Sequence, residues 1–156
     1  MEARDPAPAT SQEHVGLVSR AADALNERDL DSFLALCDPA IEFVSHLVKL
    51  QGGGTYSHHD GMRAWWQRVL AFSPEFRMEV EEVRSSADIT VARIRAHCHD
   101  WQSDGPTEQL EWNVVSWRDN RAIWWFVFLD EHEAYEVAGL RQQRARSRAA
   151  GGGAPD

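Results

Sequence analysis

The apolar positions of this chain change their period in an orderly way, and the order predicts the elements. Val15, Val18, Ala22 and Leu25 recur every three or four residues, the mark of one apolar helix face. Asp29 can cap a short second helix through Leu30, Phe33, Leu34 and Leu36, which Pro39 ends. Residues 41–47 are a β-rich run, and Gly52, Gly53 and Gly54 make a flexible loop. Asp60 can cap a third helix whose Met62, Trp65, Val69 and Phe72 share one side until Ser73 and Pro74 stop it. Four strands are expected at about 76–84, 88–101, 108–118 and 121–130, the last two joined by a tight turn at Asp119 and Asn120. A closing helix over 131–140 has Asp130 as its N-cap and Glu133 to complete a capping box. This order, ααβαββββα, predicts an α+β domain with a mostly antiparallel sheet.

The last hairpin carries the most information. A two-residue turn pairs Arg118 with Arg121 and Trp117 with Ala122, and the pairing sets two faces. One holds Leu110, Trp112, Val114, Ser116, Ile123, Trp125, Val127 and Leu129; seven of these eight are apolar, so this face is expected to look inward. The other holds Val115, Trp117, Trp124, Phe126 and Phe128 beside Glu111 and Asn113, too apolar for a free solvent face. Helices cover one side of a sheet, so a second copy of the chain is expected on the other. The predicted state is a homodimer through Val115, Trp117, Trp124 and Phe126. On the preceding strand Ala92, Ile94, Ala96 and Cys98 are expected inward, and Arg93, Arg95, His97 and His99 outward.

Composition narrows the partners. The chain has 156 residues, enough for one domain over 12–141 between a Pro- and Ala-rich disordered leader, 1–11, and a basic, then Gly-rich disordered tail, 142–156. A formal net charge of −9 argues against nucleic acid as a partner. No segment approaches the roughly 18 apolar residues of a membrane span, and no secretory signal is visible. Cys37 and Cys98 belong to no metal or disulfide pattern, so a cytoplasmic setting without a metal is expected. Seven Trp residues demand large apolar surroundings.

An aromatic-walled pocket for a small hydrophobic ligand follows, with Trp112, Trp125, Val114, Val127 and Ser116 from the hairpin and Met62 and Trp65 from the third helix. Tyr56, after the glycine loop, could donate its phenol to a ligand oxygen. His97 and His99, two apart on one strand face, are the candidate proton handlers beside Tyr56. His58, His59 and Asp60 read as a helix start rather than a metal cluster.

Residues 24–39 (ALNERDLDSFLALCDP), 56–66 (YSHHDGMRAWW), 117–123 (WRDNRAI) and 128–140 (FLDEHEAYEVAGL) resemble the NTF2-like superfamily, and its SnoaL-like (polyketide cyclase-like) members in particular. The resemblance runs over roughly 14–140, with His58 and Asn120 standing where the family commonly has Gly. It implies a cone in which a strongly curved sheet wraps around the N-terminal helices and encloses a pocket. It also implies a small hydrophobic metabolite, cyclic ones included, handled without a cofactor by a cyclase, isomerase or dehydratase. The alternative is a non-catalytic binding or dimeric interaction module of the same fold. The positions that carry proton transfer in ketosteroid isomerase fall on Ala21, Phe43 and Val114, none of which can move a proton; Phe43 then counts as pocket wall.

Overall fold

The computed structural model describes residues 11–45, 55–100, 105–139 and 141. The glycine loop at 52–54, the leader up to residue 10 and the tail from 142 lie outside the described residues. In chain order the elements are α1 (Ser11–Asn26), α2 (Leu30–Ala35), β1 (Cys37–Val44), β2 (Thr55–Ser57), α3 (His58–Phe72), β3 (Arg77–Ser86), β4 (Ile89–Asp100), β5 (Gly105–Arg118), β6 (Arg121–Phe128) and a closing helix α4 over 131–139. The strands form one open, curved, six-stranded sheet in the order β2-β1-β6-β5-β4-β3. Every neighbouring pair is antiparallel except β1 with β6. The expected α+β architecture is therefore the one observed.

Local chemistry explains where elements begin and end. The Asp29 carboxylate accepts from the Ser32 amide, satisfying one of the free donors at the start of α2. Asn26, the last residue of α1, grips β3 with both ends of its amide. Nδ2 donates to the Met78 carbonyl and Oδ1 accepts from the Met78 N–H, each at 2.8 Å. Asp60 does not cap α3: that helix starts at His58, and Asp60 sits in its first turn, paired with Arg63 at 3.0 Å. His59 is tied to the Cys37 carbonyl at 2.7 Å, which anchors the helix start to β1. Gly61 is required here, since a Cβ at that position would stand 2.9 Å from the Tyr56 carbonyl carbon.

The tight turn at Asp119 and Asn120 is as expected, with φ of 52° and 61°, values that Asp and Asn tolerate better than most residues. Arg118 faces Arg121 and Trp117 faces Ala122. The next step departs from the simple register. Ser116 pairs with Trp124, not Ile123, so Ile123 is the extra residue of a β-bulge. Paired residues point to one face, so the slip exchanges the two sides of β5 while leaving those of β6 in place. Glu111, Asn113, Val115 and Trp117 turn inward with Trp125 and Val127. Trp112, Val114 and Ser116 turn outward with Trp124, Phe126 and Phe128. A second bulge, at Glu81 in β3, lets that carboxylate reach both Arg93 and Arg95, at 3.2 and 2.8 Å.

On the inner face of the sheet α1 packs on β3 and β4, and α3 on β1 and β2, around Leu25, Ile41, Phe43, Met62 and Ile94. On the outer face α4 lays Ala134, Val137 and Ala138 against Val114, Phe126 and Phe128. Arg141 stacks 3.8 Å over Trp124 and donates to the Ser116 hydroxyl. Part of the surface expected to face a second copy is thus covered within the chain, while Trp112, Trp124 and Phe126 stay half-buried. Of its four expected contact residues, Val115 and Trp117 are buried on the inner side. Among the described residues no helix is long and apolar enough to cross a membrane.

Replacing Gly61 by Ala should force the α3 start away from β2, because the neighbour is backbone and cannot rotate aside. A loss of about 1–3 kcal/mol in urea unfolding is the expected result.

Candidate functional site

A cavity opens between the helices and the inner sheet face. Val18, Ala21 and Ala22 of α1, Phe33 of α2 and Trp65 of α3 form its helical side; Phe43, Ile94, Trp125 and Val127 come from the sheet, with Phe76 and Met78 beside them. The polar members of the lining are Ser45, Glu111 and Asn113. The rings pack closely: Phe43 lies 4.8 Å from Trp65 and 5.7 Å from Trp125, and Phe33 lies 5.8 Å from Trp125. The free volume of the cavity is about 20 Å³, room for about one water molecule. A larger guest requires the walls to yield. Met78, unbranched and adaptable, is one wall able to do so.

Glu111 is the unusual member. It is 4% exposed in a largely apolar wall, and among the described residues its Oε2 has no hydrogen-bond partner. Oε1 accepts from Asn113 Nδ2 at 3.3 Å, and Asn113 Oδ1 in turn accepts from Trp125 Nε1 at 2.6 Å. Burial pushes the Glu111 carboxyl up from the usual 4.5 to about 7, against a smaller lowering by the Asn113 bond. A carboxyl in this range holds its proton part of the time at neutral pH and can both give and take one. A second cavity-lining side chain, Trp65, has a buried donor, its indole Nε1, with no partner among the described residues.

The residues predicted from sequence separate into three groups. Phe43, Trp65, Trp125 and Val127 line this cavity, and Met62 lies fully buried in the same core. Trp112, Val114 and Ser116 do not face it; the bulge at Ile123 places them on the outer side, with Ser116 bound to Arg141. Tyr56, His97 and His99 are also elsewhere. Tyr56 packs against the edge of the core, its hydroxyl 3.5 Å from Arg68. His97 stands between Glu79 and Glu108 at 3.5 and 3.4 Å, and His99 beside Glu75 at 3.6 Å. The row Arg93, Arg95, His97 and His99 points outward as expected, into a ladder of carboxylates. Of the three ketosteroid isomerase positions, Ala21 and Phe43 do line the cavity, whereas Val114 yields its place to Asn113. Glu111 and Asn113 were missed because both stood on the face assigned outward. A carboxylate set between Leu110 and Trp112, in the run that leads to Val114 and Val115, was the available signal.

The sequence pattern of the SnoaL-like domain matches residues 18–133. No functionally curated protein matches the chain. Among solved structures, an NTF2-like protein of unknown function from Burkholderia pseudomallei is 20% identical, with a TM-score of 0.68, covering 81% of this chain and 97% of its own. TerC, co-crystallised with polyporic acid, is 17% identical at a TM-score of 0.67, covering 81% and 98%. A proposed SnoaL-like polyketide cyclase from Jannaschia is 16% identical at a TM-score of 0.65, covering 88% and 96%.

The raised Glu111 carboxyl makes stability depend on pH with a definite sign. Between about 4.5 and 7 the folded chain holds a proton that the unfolded chain has released, so stability falls as pH rises through this window. Glu111→Gln removes the effect. Its stability relative to wild type should improve by about 3 kcal/mol between pH 4.5 and pH 8, in urea melts at both ends.

Proposed function

The chain belongs to the SnoaL-like domain family, and on that footing we propose that its pocket receives a small, largely apolar organic molecule and exchanges a proton with it through Glu111. The observation that carries this reading is the carboxyl itself: buried, turned into an aromatic-walled cavity, and short of a partner on Oε2. Burying an unpaired carboxyl works against folding, and its neighbours do little to relieve it. Such groups persist where a ligand uses them.

The chemistry follows from the surroundings. With its proton, Oε2 is a donor for a ligand oxygen such as a carbonyl; without it, Oε2 is a base in a site that excludes water and so strengthens its pull on a nearby C–H or O–H. The Trp65 indole N–H, only ever a donor, suits the same kind of oxygen. The flat rings of Phe33, Phe43, Trp65 and Trp125 suit cyclic and conjugated skeletons. Enolisation, isomerisation and ring closure next to a carbonyl are reactions this set can assist without a cofactor, which fits a family with proposed polyketide cyclases. TerC, of the same fold, was co-crystallised with a small organic molecule, polyporic acid.

A second reading is binding without reaction. It is favoured by one feature: among the described lining residues Glu111 has no second titratable side chain to share acid and base roles.

One experiment separates the two. Cyclic ketones and enones are added in D₂O, with tryptophan emission reporting binding and proton NMR reporting deuterium entry next to the carbonyl. We expect quenching of emission together with exchange faster than in buffer, and Glu111→Gln to slow the exchange by ~100-fold or more while keeping the quenching. Quenching without exchange supports the binding module. Absence of both overturns the pocket reading.

A further inference from the structure

Trp125, Asn113 and Glu111 form a string whose direction can be worked out atom by atom. An indole Nε1 carries a hydrogen and can only donate. The atom it meets at 2.6 Å must therefore be the Asn113 oxygen, which removes the usual ambiguity over which end of an amide is which. The Asn113 nitrogen then faces Glu111, at 3.3 Å from Oε1, and it too can only donate. An oxygen that receives a donor cannot direct a proton of its own along the same line. Oε1 is thus held as an acceptor in both charge states of the carboxyl, and the mobile proton is left to Oε2, the oxygen with no partner among the described residues. Trp125 and Asn113 belong to neighbouring strands, β6 and β5. The bulge at Ile123 is what brings both to the inner face together.

We infer that Trp125 and Asn113 are positioning residues that act through one another to keep the exchangeable proton of Glu111 on Oε2, facing the cavity. The inference rests on Glu111 as the proton-exchanging group of the pocket. It adds a role for Trp125 beyond that of an aromatic wall: its N–H sets the handedness of the acid two residues further along the string. Without that N–H, Asn113 is free to turn over and present its oxygen to Glu111. The proton is then drawn to Oε1, away from the cavity, and the ionised carboxylate loses the one donor that favoured it.

Infrared difference spectra of the full chain, taken without ligand across pH 5 to 9 (about two units either side of the Glu111 midpoint), provide the test. The carbonyl stretch of the protonated carboxyl is identified by its absence in Glu111→Gln. In Trp125→Phe, which keeps an aromatic ring but no donor, we expect this band to move to higher frequency as the carbonyl becomes Oε2, free of a hydrogen bond. The titration midpoint should rise with it. A merely structural Trp125 would lower the melting temperature and leave both unmoved, and that result overturns the inference. If Trp125→Phe does not fold, wild-type protein carries the same test. The side-chain amide protons of Asn113 should shift in NMR with the midpoint of Glu111, and signals indifferent to that titration overturn the inference. Absence of any protonated band above pH 5 would instead overturn the reading of Glu111 itself, and the inference with it.

Discussion

One extra residue in the last hairpin determines the character of the inner face. Ile123 has no partner of its own, and the pairing beyond it slips by one. Because side chains alternate along a strand, a slip of one residue on β6 relative to β5 re-matches the two faces completely. With the bulge, Trp125 and Val127 share a side with Asn113 and Glu111; in an unbulged hairpin Trp124 and Phe126 would take those places. The cavity wall, the Trp125–Asn113 bond and the outer apolar patch under α4 all rest on this single irregularity.

The same irregularity creates an electrostatic tension. Glu111 enters a space lined by Val18, Phe76, Ile94 and Val127, and no cationic side chain lines that space among the described residues. Elsewhere the protein treats its carboxylates differently: Glu81 has two arginines and Glu82 two more contacts of the same kind. The Arg95 guanidinium, with Arg93 beside it, holds the Glu81 carboxyl below its ordinary value, while burial drives Glu111 the other way. Two carboxyls on one sheet are thus set to different protonation habits by what surrounds them, which is how a site acquires an acid while the surface keeps its charge.

Much of the fold was legible in the sequence. The helical period through Leu25, the Asp29 cap, the Ser73-Pro74 stop and the Asp119–Asn120 turn all follow from local chemistry, and local chemistry is written in consecutive residues. The wall residues Phe43, Trp65, Trp125 and Val127 were legible too, as large apolar groups on faces that had to be buried. The carboxyl was not. A bulge has no strong local signature, and an alternation carried through it assigns Trp112, Val114 and Ser116 to the wrong side and hides Glu111. The outer apolar face was read correctly on β6, where Trp124, Phe126 and Phe128 share that side. The short closing helix brings Ala134 and Ala138 into the same cluster as Phe128 and covers part of this face.

A sheet that stays open around a cavity has two free edges, and free edges invite other chains to add strands. Here the first edge strand, β2, is three residues long, too short to template an extended partner. The opposite edge, β3, is broken by the bulge at Glu81 and studded with Arg77, Glu79, Glu82 and Arg84. An incoming strand would meet a kinked backbone and charges of both signs. The ladder that holds the histidines away from the pocket also sets charges of both signs beside this open edge, the kind of edge that disfavours the addition of a further strand.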